Sequence, residues 1–241
     1  MVIYEDTPTG ETTPDIRMYN IKTGEDTLVA GASGAQTSGV TNGQYVIYID
    51  GGACGSLKAY KIKDGTTSTI SNTACHPVRI SGNIIVWPYA AAGGTNIYGY
   101  DLKSSMPFDV ITDPDFQESP NIFNNRVVWV HYTTGALGDY NGIRMKDLKT
   151  GEITTIYESI TSTLQWPAVS NKYVVWSQSS AQHVGGVSGY NLKTGEVFEV
   201  QEQGSHQNSH TMTDIWRNTA VWMSFRTGNG DIYGAEFSKA L

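Results

Sequence analysis

The chain has 241 residues, a formal net charge of -7 and 26 glycines, with 39% hydrophobic and 16% charged residues. This length can bury a sizeable apolar core as one large domain or two smaller ones. The net negative charge argues against binding to nucleic-acid phosphates, because such binding requires clustered Lys and Arg. No stretch approaches the roughly 18 apolar residues of a membrane-spanning helix, and no signal peptide is recognisable. We therefore expect an all-β protein rich in turns, without membrane insertion.

Two short apolar clusters recur in register along the whole chain. The first anchor is a β-branched pair followed by an aromatic residue, in copies whose aromatic members lie 39 to 47 residues apart: Val2-Ile3-Tyr4, Val46-Ile47-Tyr48, Ile85-Val86-Trp87, Val127-Val128-Trp129, Val174-Val175-Trp176 and Ala220-Val221-Trp222. The second anchor follows each of them, beginning at Ile16, Leu57, Ile97, Ile143, Val187 and Ile232. Six copies of each predict two adjacent strands in each of six repeats, with the first anchors packed in the core.

Tight turns follow most of the second anchors. Four of them contain glycine, which supplies the positive φ of a hairpin turn: Lys22-Thr23-Gly24-Glu25, Lys63-Asp64-Gly65, Lys149-Thr150-Gly151-Glu152 and Lys193-Thr194-Gly195-Glu196. The third copy, 103–107, lacks glycine, and we expect a longer turn there. One more short strand follows each turn and another precedes each first anchor, which makes four strands in a complete repeat.

Units reading P-x-I/V-S-x-x-x-V-V-W … I-Y-x-Y-D/N-L-K-T-G-E resemble the WD-like propeller repeats of TolB and of related bacterial and archaeal cell-surface proteins, over essentially the whole chain. The resemblance implies a single β-propeller over residues 1–241, with six blades of three to four antiparallel strands. The repeat units would be 1–32, 33–72, 73–113, 114–160, 161–204 and 205–241. The first unit lacks its opening strand and the sixth lacks a convincing last one, so a five-bladed ring and a piece of a larger ring stay open as alternatives.

The predicted connections are short on one face of such a propeller and long on the other. The long ones are 6–15, 50–56, 90–96, 112–119, 131–142, 178–186 and 201–211. Binding usually occurs on long loops that a rigid scaffold carries. Cys54 and Cys75 both map to this face beside one blade, which predicts a disulfide worth about 3 kcal/mol. A disulfide indicates an oxidising compartment, so we expect an extracellular, cell-surface or periplasmic protein.

The predicted binding residues lie on the same face. They comprise all five histidines, four aromatic residues and an acidic group: His76, His131, His183, His206, His210, Phe116, Tyr132, Tyr140, Trp166, Asp113, Asp115 and Glu118. On a helix, the four-residue spacing of His206 and His210 would present both imidazoles to one metal ion. In a loop, the same spacing does not determine how the two imidazoles lie relative to each other. The acidic group could hold calcium, but Asp-Pro is also an ordinary turn starter. We predict no catalytic residue, no metal ligand and no cofactor.

Three functions fit this sequence. The leading hypothesis is a non-enzymatic binding module that holds a protein or polysaccharide partner on the long-loop face. The second is a carbohydrate-active enzyme, a lyase or hydrolase, in which three or more of the histidines and acids converge on one pocket and a histidine acts as base. The third is an architectural repeat of a cell-surface protein. The sequence does not indicate the ligand or the oligomeric state.

Overall fold

The computed structural model describes residues 1–91, 93–133, 140–180, 185–201, 210–225 and 229–237. These residues form 22 strands joined by turns and bends and include no helix, so the all-β prediction is confirmed for them. No helix within these ranges could therefore cross a bilayer. The chain divides into two compact units. Unit 1 comprises Met1–Ala91 and Asn96–Asp109, and unit 2 comprises Ala92–Thr95 and Val110–Leu241.

Unit 1 begins with two antiparallel sheets whose strands follow each other in chain order. The first sheet contains β1 (Val2–Asp6), β2 (Asp15–Asn20) and β3 (Glu25–Ala30). The second contains β4 (Gln36–Thr41), β5 (Tyr45–Asp50), β6 (Cys54–Lys61) and β7 (Thr66–Cys75). The next strands along the chain are β8 (Arg79–Ser81), β9 (Ile84–Ala91), β10 (Gly94–Asp101) and β11 (Met106–Ile111), again paired in that order. The last two strands each contribute two residues to unit 2.

Unit 2 repeats the same antiparallel arrangement. One set of strands is β12 (Phe116–Phe123), β13 (Arg126–Thr133), β14 (Tyr140–Asp147) and β15 (Ile153–Ser159). The next is β16 (Ser162–Val169), β17 (Tyr173–Ser180), β18 (Gly186–Asn191) and β19 (Val197–Gln201). The described residues of the last sheet form β20 (His210–Trp216), β21 (Thr219–Ser224) and β22 (Asp231–Glu236). Thr95, at the start of β10, adds one parallel bridge to Phe116.

The two recurring anchors pair in the same register from sheet to sheet. The central residue of the first anchor lies opposite the third residue of the second anchor in the pairs Ile3↔Met18, Ile47↔Ala59, Val128↔Met145, Val175↔Gly189 and Val221↔Gly234. Identical pairing arises because each copy places the same apolar residues on the same faces of its strands. The periodicity therefore identified real structural repeats.

The core lies between consecutive sheets within each unit. Val128, Val130 and Ile143 of one sheet pack with Leu164 and Trp176 of the next in unit 2. In unit 1, Ile16 and Met18 of the first sheet pack with Val46 and Tyr48 of the second. The prediction that the first anchors are core residues is confirmed for the copies in β5, β9, β13, β17 and β21, whose aromatic residues are buried. Tyr4 is the exception, because it is only half-buried and its hydroxyl donates to Asp26 at 2.7 Å.

The turn at 103–107 is shorter than the sequence predicts. Four residues separate β10 from β11, as four separate β2 from β3. Ser105 takes the positive φ, at 56°, that Gly24 takes in the first sheet at 73°. The Asp101 carboxylate accepts from the Lys103 amide at 2.8 Å, as the Asn20 amide oxygen accepts from Lys22. This side-chain hydrogen bond stabilises the turn in both sheets, and Ser105 adopts the left-handed conformation that glycine adopts in the other copies.

Several predicted long loops are largely strand. Only two residues, 92–93, separate β9 from β10, and 51–53 separate β5 from β6. Pairing extends into these glycine-rich and polar segments because backbone hydrogen bonds do not require apolar side chains. The segment 112–119 behaves likewise, since β12 already begins at Phe116. Phe116 and Glu118 therefore lie at the end of a strand, whereas Asp113 and Asp115 lie in the turn that precedes it.

A kink recurs in the strand that precedes the first anchor in four of the repeats. One residue with positive φ interrupts the pairing of that strand, and the residues are Ser38 (59°), Ser119 (51°), Trp166 (51°) and Met212 (54°). The register shifts at each of these positions, for example between Glu118 and Asn121. These are the features of a β-bulge, which bends the strand and increases its twist.

Candidate functional site

The two cysteines form the predicted disulfide in unit 1. Cys54 begins β6 and Cys75 ends β7, and the two residues lie directly opposite each other in the antiparallel register. His76 follows the disulfide immediately, and its backbone N–H donates to the carbonyl of Ala53 at 3.0 Å. The disulfide therefore closes the end of this hairpin beside His76.

Most of the described candidate residues gather at one end of β12 and β13 in unit 2. Asp113 starts a turn by accepting from the amide of Asp115 at 3.2 Å, and β12 begins at the next residue. The antiparallel register then places Phe116 opposite Tyr132 and Gln117 opposite His131. We call Asp113, Asp115, Phe116, Gln117, Glu118, His131 and Tyr132 the strand-end cluster. Alternation along the strands divides it between the two faces of the sheet.

One face of the cluster carries an aromatic pair. The rings of Phe116 and Tyr132 are stacked, with centroids 4.7 Å apart and planes 5° apart, and both residues are half-buried. The Tyr132 hydroxyl donates to the exposed carboxylate of Glu118 at 3.2 Å. Burial, followed by the charge and hydrogen bond of Glu118, raises the pKa of Tyr132. The pair is thus held in one orientation next to a negative charge.

The other face carries a histidine held by a buried amide. The Gln117 side-chain oxygen accepts from the Trp129 indole at 2.7 Å and lies 3.1 Å from Nδ1 of His131. Since that oxygen can only accept, Nδ1 carries the hydrogen and Nε2 keeps a lone pair. His131 Nε2 lies 3.8 Å from the Asp115 carboxylate. The imidazole is therefore oriented with its basic nitrogen on the acidic side of the cluster.

The charged groups around His131 shift its pKa in opposite directions. Burial is the largest effect on its pKa and lowers it, and the positive charge of Arg144 lowers it further. Asp115, Asp113 and Glu158 raise the pKa but do not reverse the direction. Arg144 itself pairs with Glu158 at 3.2 Å and donates to the Thr155 hydroxyl. The result is a predominantly neutral imidazole near neutral pH.

The structure brings together some of the predicted residues and leaves others apart. Asp115 and His131 meet on one face, whereas Glu118 meets Tyr132 on the other. Trp166 lies at the bulge of β16, and its carbonyl accepts from the Thr213 hydroxyl. His183 and His206 lie outside the described residues, as do the side chains of Tyr140 and His210.

Sequence reasoning missed Gln117, Arg144 and Glu158. Gln117 is 1% exposed and alternates with Phe116 and Glu118, a period-two pattern that recognising 112–119 as a strand would have revealed. Arg144 lies opposite Trp129 in β14, and Glu158 lies opposite Gly142 in β15. Only the pairing of four strands brings these two charges to the histidine.

Two further features of the structure concern groups of metal-binding side chains and cavities. Within the described part of the chain, no group of three or more His, Cys, Asp or Glu residues could hold a metal ion. A cavity of about 300 Å³ lies in unit 1, and none of the predicted binding residues lines it. It is lined by Ile3, Tyr4, Glu5, Ser38, Gly39, Val40 and Arg79.

No family model and no curated protein sequence matches the chain. Solved structures match it at low identity. The β-propeller domain of the Trilobed protease from Pyrococcus furiosus, described as having an open velcro topology, matches over 98% of this chain and 78% of its own, with a TM-score of 0.72 and 10% identity. Oligogalacturonate lyase in complex with manganese matches over 92% and 70%, with a TM-score of 0.65 and 9% identity.

TolB from Acinetobacter baumannii also matches, over 88% of this chain and 56% of its own, with a TM-score of 0.56 and 10% identity. This chain thus spans little more than half of TolB. Identities this low are informative about the fold alone. Together with the repeated antiparallel sheets, they show that the chain has a β-propeller fold similar to that of TolB.

Proposed function

We propose that this chain is a six-bladed TolB-type propeller that acts as a binding module and holds a protein or glycan partner through the strand-end cluster. The observation that carries the proposal is the Phe116–Tyr132 stack, which is half-buried and braced by Glu118. An aromatic pair already held in place loses little conformational entropy when a partner binds. This is the property of an interface anchor.

The chemistry of the cluster selects among partners. Its aromatic rings can stack on a sugar ring or a cationic side chain, and its carboxylates can accept from hydroxyl or ammonium groups. Glu118 lies on the face of the aromatic pair and is exposed, and Asp115 on the other face keeps 38% of its side chain exposed, so both can contact a partner. The same carboxylates repel an anionic polymer. We therefore expect neutral glycans or basic peptide segments to bind in preference to polyanions.

The compartment is part of the proposal. A disulfide persists in oxidising surroundings, and TolB is among the structures that share the fold. We propose a periplasmic or extracellular location, where cell-envelope glycans and proteins would be the available partners.

The test is a binding screen with neutral oligosaccharides, lysine-rich peptides and polygalacturonate, read by thermal shift and calorimetry. A ligand that binds the folded state raises the melting temperature by mass action. For a ligand found in the screen, Tyr132→Ala should weaken binding about tenfold or more, because anchor residues contribute at least 1–2 kcal/mol. Phe123→Ala is the matched control, since Phe123 lies at the other end of β12 and should leave binding unchanged.

Two outcomes would contradict the proposal. One is a ligand whose affinity is the same in wild type and Tyr132→Ala. The other is a preference for polygalacturonate over neutral and basic ligands, which the acidic cluster does not explain.

His131 supports a second candidate function, a carbohydrate-active enzyme. Its imidazole is oriented by Gln117 and keeps a basic Nε2 near Asp115, as a general base requires. Oligogalacturonate lyase is among the structures that share the fold. Incubation with oligogalacturonate and manganese, followed by ultraviolet detection of unsaturated products, tests this candidate. Activity that His131→Gln abolishes would favour the enzyme, and absence of product in the wild type would reject this lyase activity.

A further inference from the structure

The chain contains three Asn-Gly pairs, which are Asn42-Gly43, Asn141-Gly142 and Asn229-Gly230. Asparagine is chemically labile, and a following glycine makes deamidation easiest. Glycine has no side chain to hinder the approach of its backbone nitrogen to the asparagine side chain. The sequence makes the three pairs equivalent in this respect. The structure places them in three different environments, which predict different rates of reaction.

Three hydrogen bonds hold the side chain of Asn42 in unit 1. Its Oδ1 accepts from the backbone amides of Gln44 at 3.0 Å and Tyr45 at 2.9 Å, and its Nδ2 donates to the carbonyl of Gly82 at 2.7 Å. The side-chain amide must turn toward the nitrogen of Gly43 before it can react, and this rotation breaks the hydrogen bonds. Asn42 is therefore protected, although it lies in the connection between β4 and β5.

The second pair lies inside a sheet of unit 2. Asn141 and Gly142 belong to β14, and Gly142 lies opposite His131 of β13 on one side and Glu158 of β15 on the other. Hydrogen bonds to two neighbouring strands hold this backbone in the extended conformation. Attack by the nitrogen of Gly142 requires the sheet to open locally. Asn141 is therefore protected by strand pairing.

The third pair lies outside the strand pairing of the last sheet. Asn229 and Gly230 are both exposed and lead into β22, whose pairing with β21 begins at Asp231 opposite Ser224. In the part of the chain that the structure describes, the Asn229 side chain forms no hydrogen bond. Its amide can therefore rotate toward the nitrogen of Gly230 without breaking a contact.

We propose that Asn229 is a modification site, which converts spontaneously to aspartate and isoaspartate in the folded protein, ahead of Asn42 and Asn141. A solvent base removes the amide proton of Gly230, and the nitrogen then attacks Cγ of Asn229. A C–N bond forms and the Cγ–Nδ2 bond breaks, and the departing nitrogen takes a proton from solvent and leaves as ammonia. Water then opens the succinimide at either carbonyl. The net reaction consumes one water, releases one ammonia and leaves one new carboxylate.

The modification affects the strand that follows. Isoaspartate adds one methylene group to the backbone just before β22, and the new carboxylate lies two residues from that of Asp231. The longer backbone and the repulsion between the two carboxylates both act against the pair that Asp231 forms with Ser224. We therefore expect the start of β22 to be held less firmly after the reaction. The site shares no residue with the strand-end cluster.

The test is incubation of the folded protein at mildly alkaline pH, followed by peptide mapping with mass spectrometry. The peptide that contains Asn229 should convert at least about tenfold faster than those of Asn42 and Asn141, which corresponds to about 1.4 kcal/mol in activation free energy. An isoaspartyl methyltransferase should label the same peptide. In protein unfolded by urea, the three peptides should react within about threefold of one another, because their backbone environments become alike.

Two variants serve as controls. Asn229→Gln should remove the methyltransferase label from this peptide and leave the other two peptides unchanged, because the larger ring that glutamine requires forms far more slowly. Asn229→Asp carries the new charge without the added methylene. Hydrogen exchange at the amides of residues 231–236 should therefore be faster in the isoaspartate form than in Asn229→Asp.

Three results would overturn the proposal. The first is conversion of Asn42 or Asn141 in the folded protein at the rate of Asn229 or faster. The second is the absence of conversion at Asn229. The third is a difference among the three peptides that persists unchanged in urea, because the sequence and not the fold would then set the rates.

Discussion

Gln117 organises the residues around it through a single oxygen atom. The indole of Trp129 and Nδ1 of His131 both point at this oxygen, at 2.7 and 3.1 Å. Because an indole N–H can only donate, the amide cannot be reversed, and its nitrogen has no hydrogen-bond partner in the described part of the chain. The neighbouring sheet has Leu164 at the equivalent position, opposite Gln178. There, Trp176 Nε1 and the Gln178 side-chain oxygen are buried and likewise lack partners among the described residues.

Leu164→Gln should therefore be tolerated unusually well. The new amide can accept from Trp176 and donate to Gln178, which restores about 1–3 kcal/mol for each buried group. This gain offsets the roughly 2 kcal/mol lost with the buried leucine. We expect the free energy of unfolding, measured in urea, to stay within about 1 kcal/mol of wild type. Leu57→Gln, at a fully buried leucine of unit 1, is the control and should lose about 3 kcal/mol or more. Equal losses would contradict the argument.

His131 should make the stability of the protein pH-dependent. Its pKa is lowered in the folded state from an ordinary value of about 6.5, first by burial and then by Arg144. As the pH falls below 6.5, the unfolded chain takes up this proton before the folded chain does, so stability decreases. Wild type should lose more stability than His131→Gln between about pH 7.5 and pH 5.5 in urea titrations. Parallel losses in the two proteins would show that His131 does not contribute.

At the scale of elements, the strands that precede the first anchor in four repeats share a bulge with a residue of positive φ. Ser, Trp and Met occupy these positions in place of glycine, at a cost of about 1 kcal/mol each for a left-handed conformation. The bulge persists because packing on both sides determines the register of the strand. In β12 it follows directly after Glu118, so it ends the pairing segment that carries the strand-end cluster.

Met212→Gly should stabilise the protein or leave its stability unchanged. Met212 is 57% exposed and has a φ of 54°, so glycine relieves strain and loses little packing. Met106 is the matched control, because it is 61% exposed and lies in a strand without a positive φ. Met106→Gly should cost about 0.5–1 kcal/mol through the entropy of the unfolded chain. Thermal unfolding of both variants checks the difference, and equal destabilisation would argue against strain at the bulge.

At the scale of the whole molecule, each unit is built by repetition of one contact. A buried layer separates each sheet from the next, as between β13 and β17 in unit 2 and between β2 and β5 in unit 1. Because every layer uses the same anchor positions, a propeller fold tolerates wide variation elsewhere in the chain. This explains how structures of 9–10% identity share the fold while their names describe a lyase, a protease and TolB.

The strands, their repeat and the disulfide could be predicted from the sequence because they depend on local patterns. The β-branched and aromatic cluster forms a strand in all six copies, and Cys54 and Cys75 lie at the open end of one hairpin. The extent of β12 and the shape of the turn at Ser105 could not be predicted in this way. The extent of β12 depends on its pairing with β13. The turn depends on the Asp101 carboxylate, which accepts a hydrogen bond from the Lys103 backbone amide.

The amino-acid pattern alone specified an all-β repeat protein and five of the six anchor aromatic residues of its buried layers, because period-two alternation and turn chemistry act over a few residues. Tertiary structure alone decided that Gln117 would orient His131, that Phe116 would stack on Tyr132 and that Arg144 would pair with Glu158. These contacts depend on the register between strands. Register is established only when the sheets pack, because one residue of slippage would turn every side chain to the opposite face.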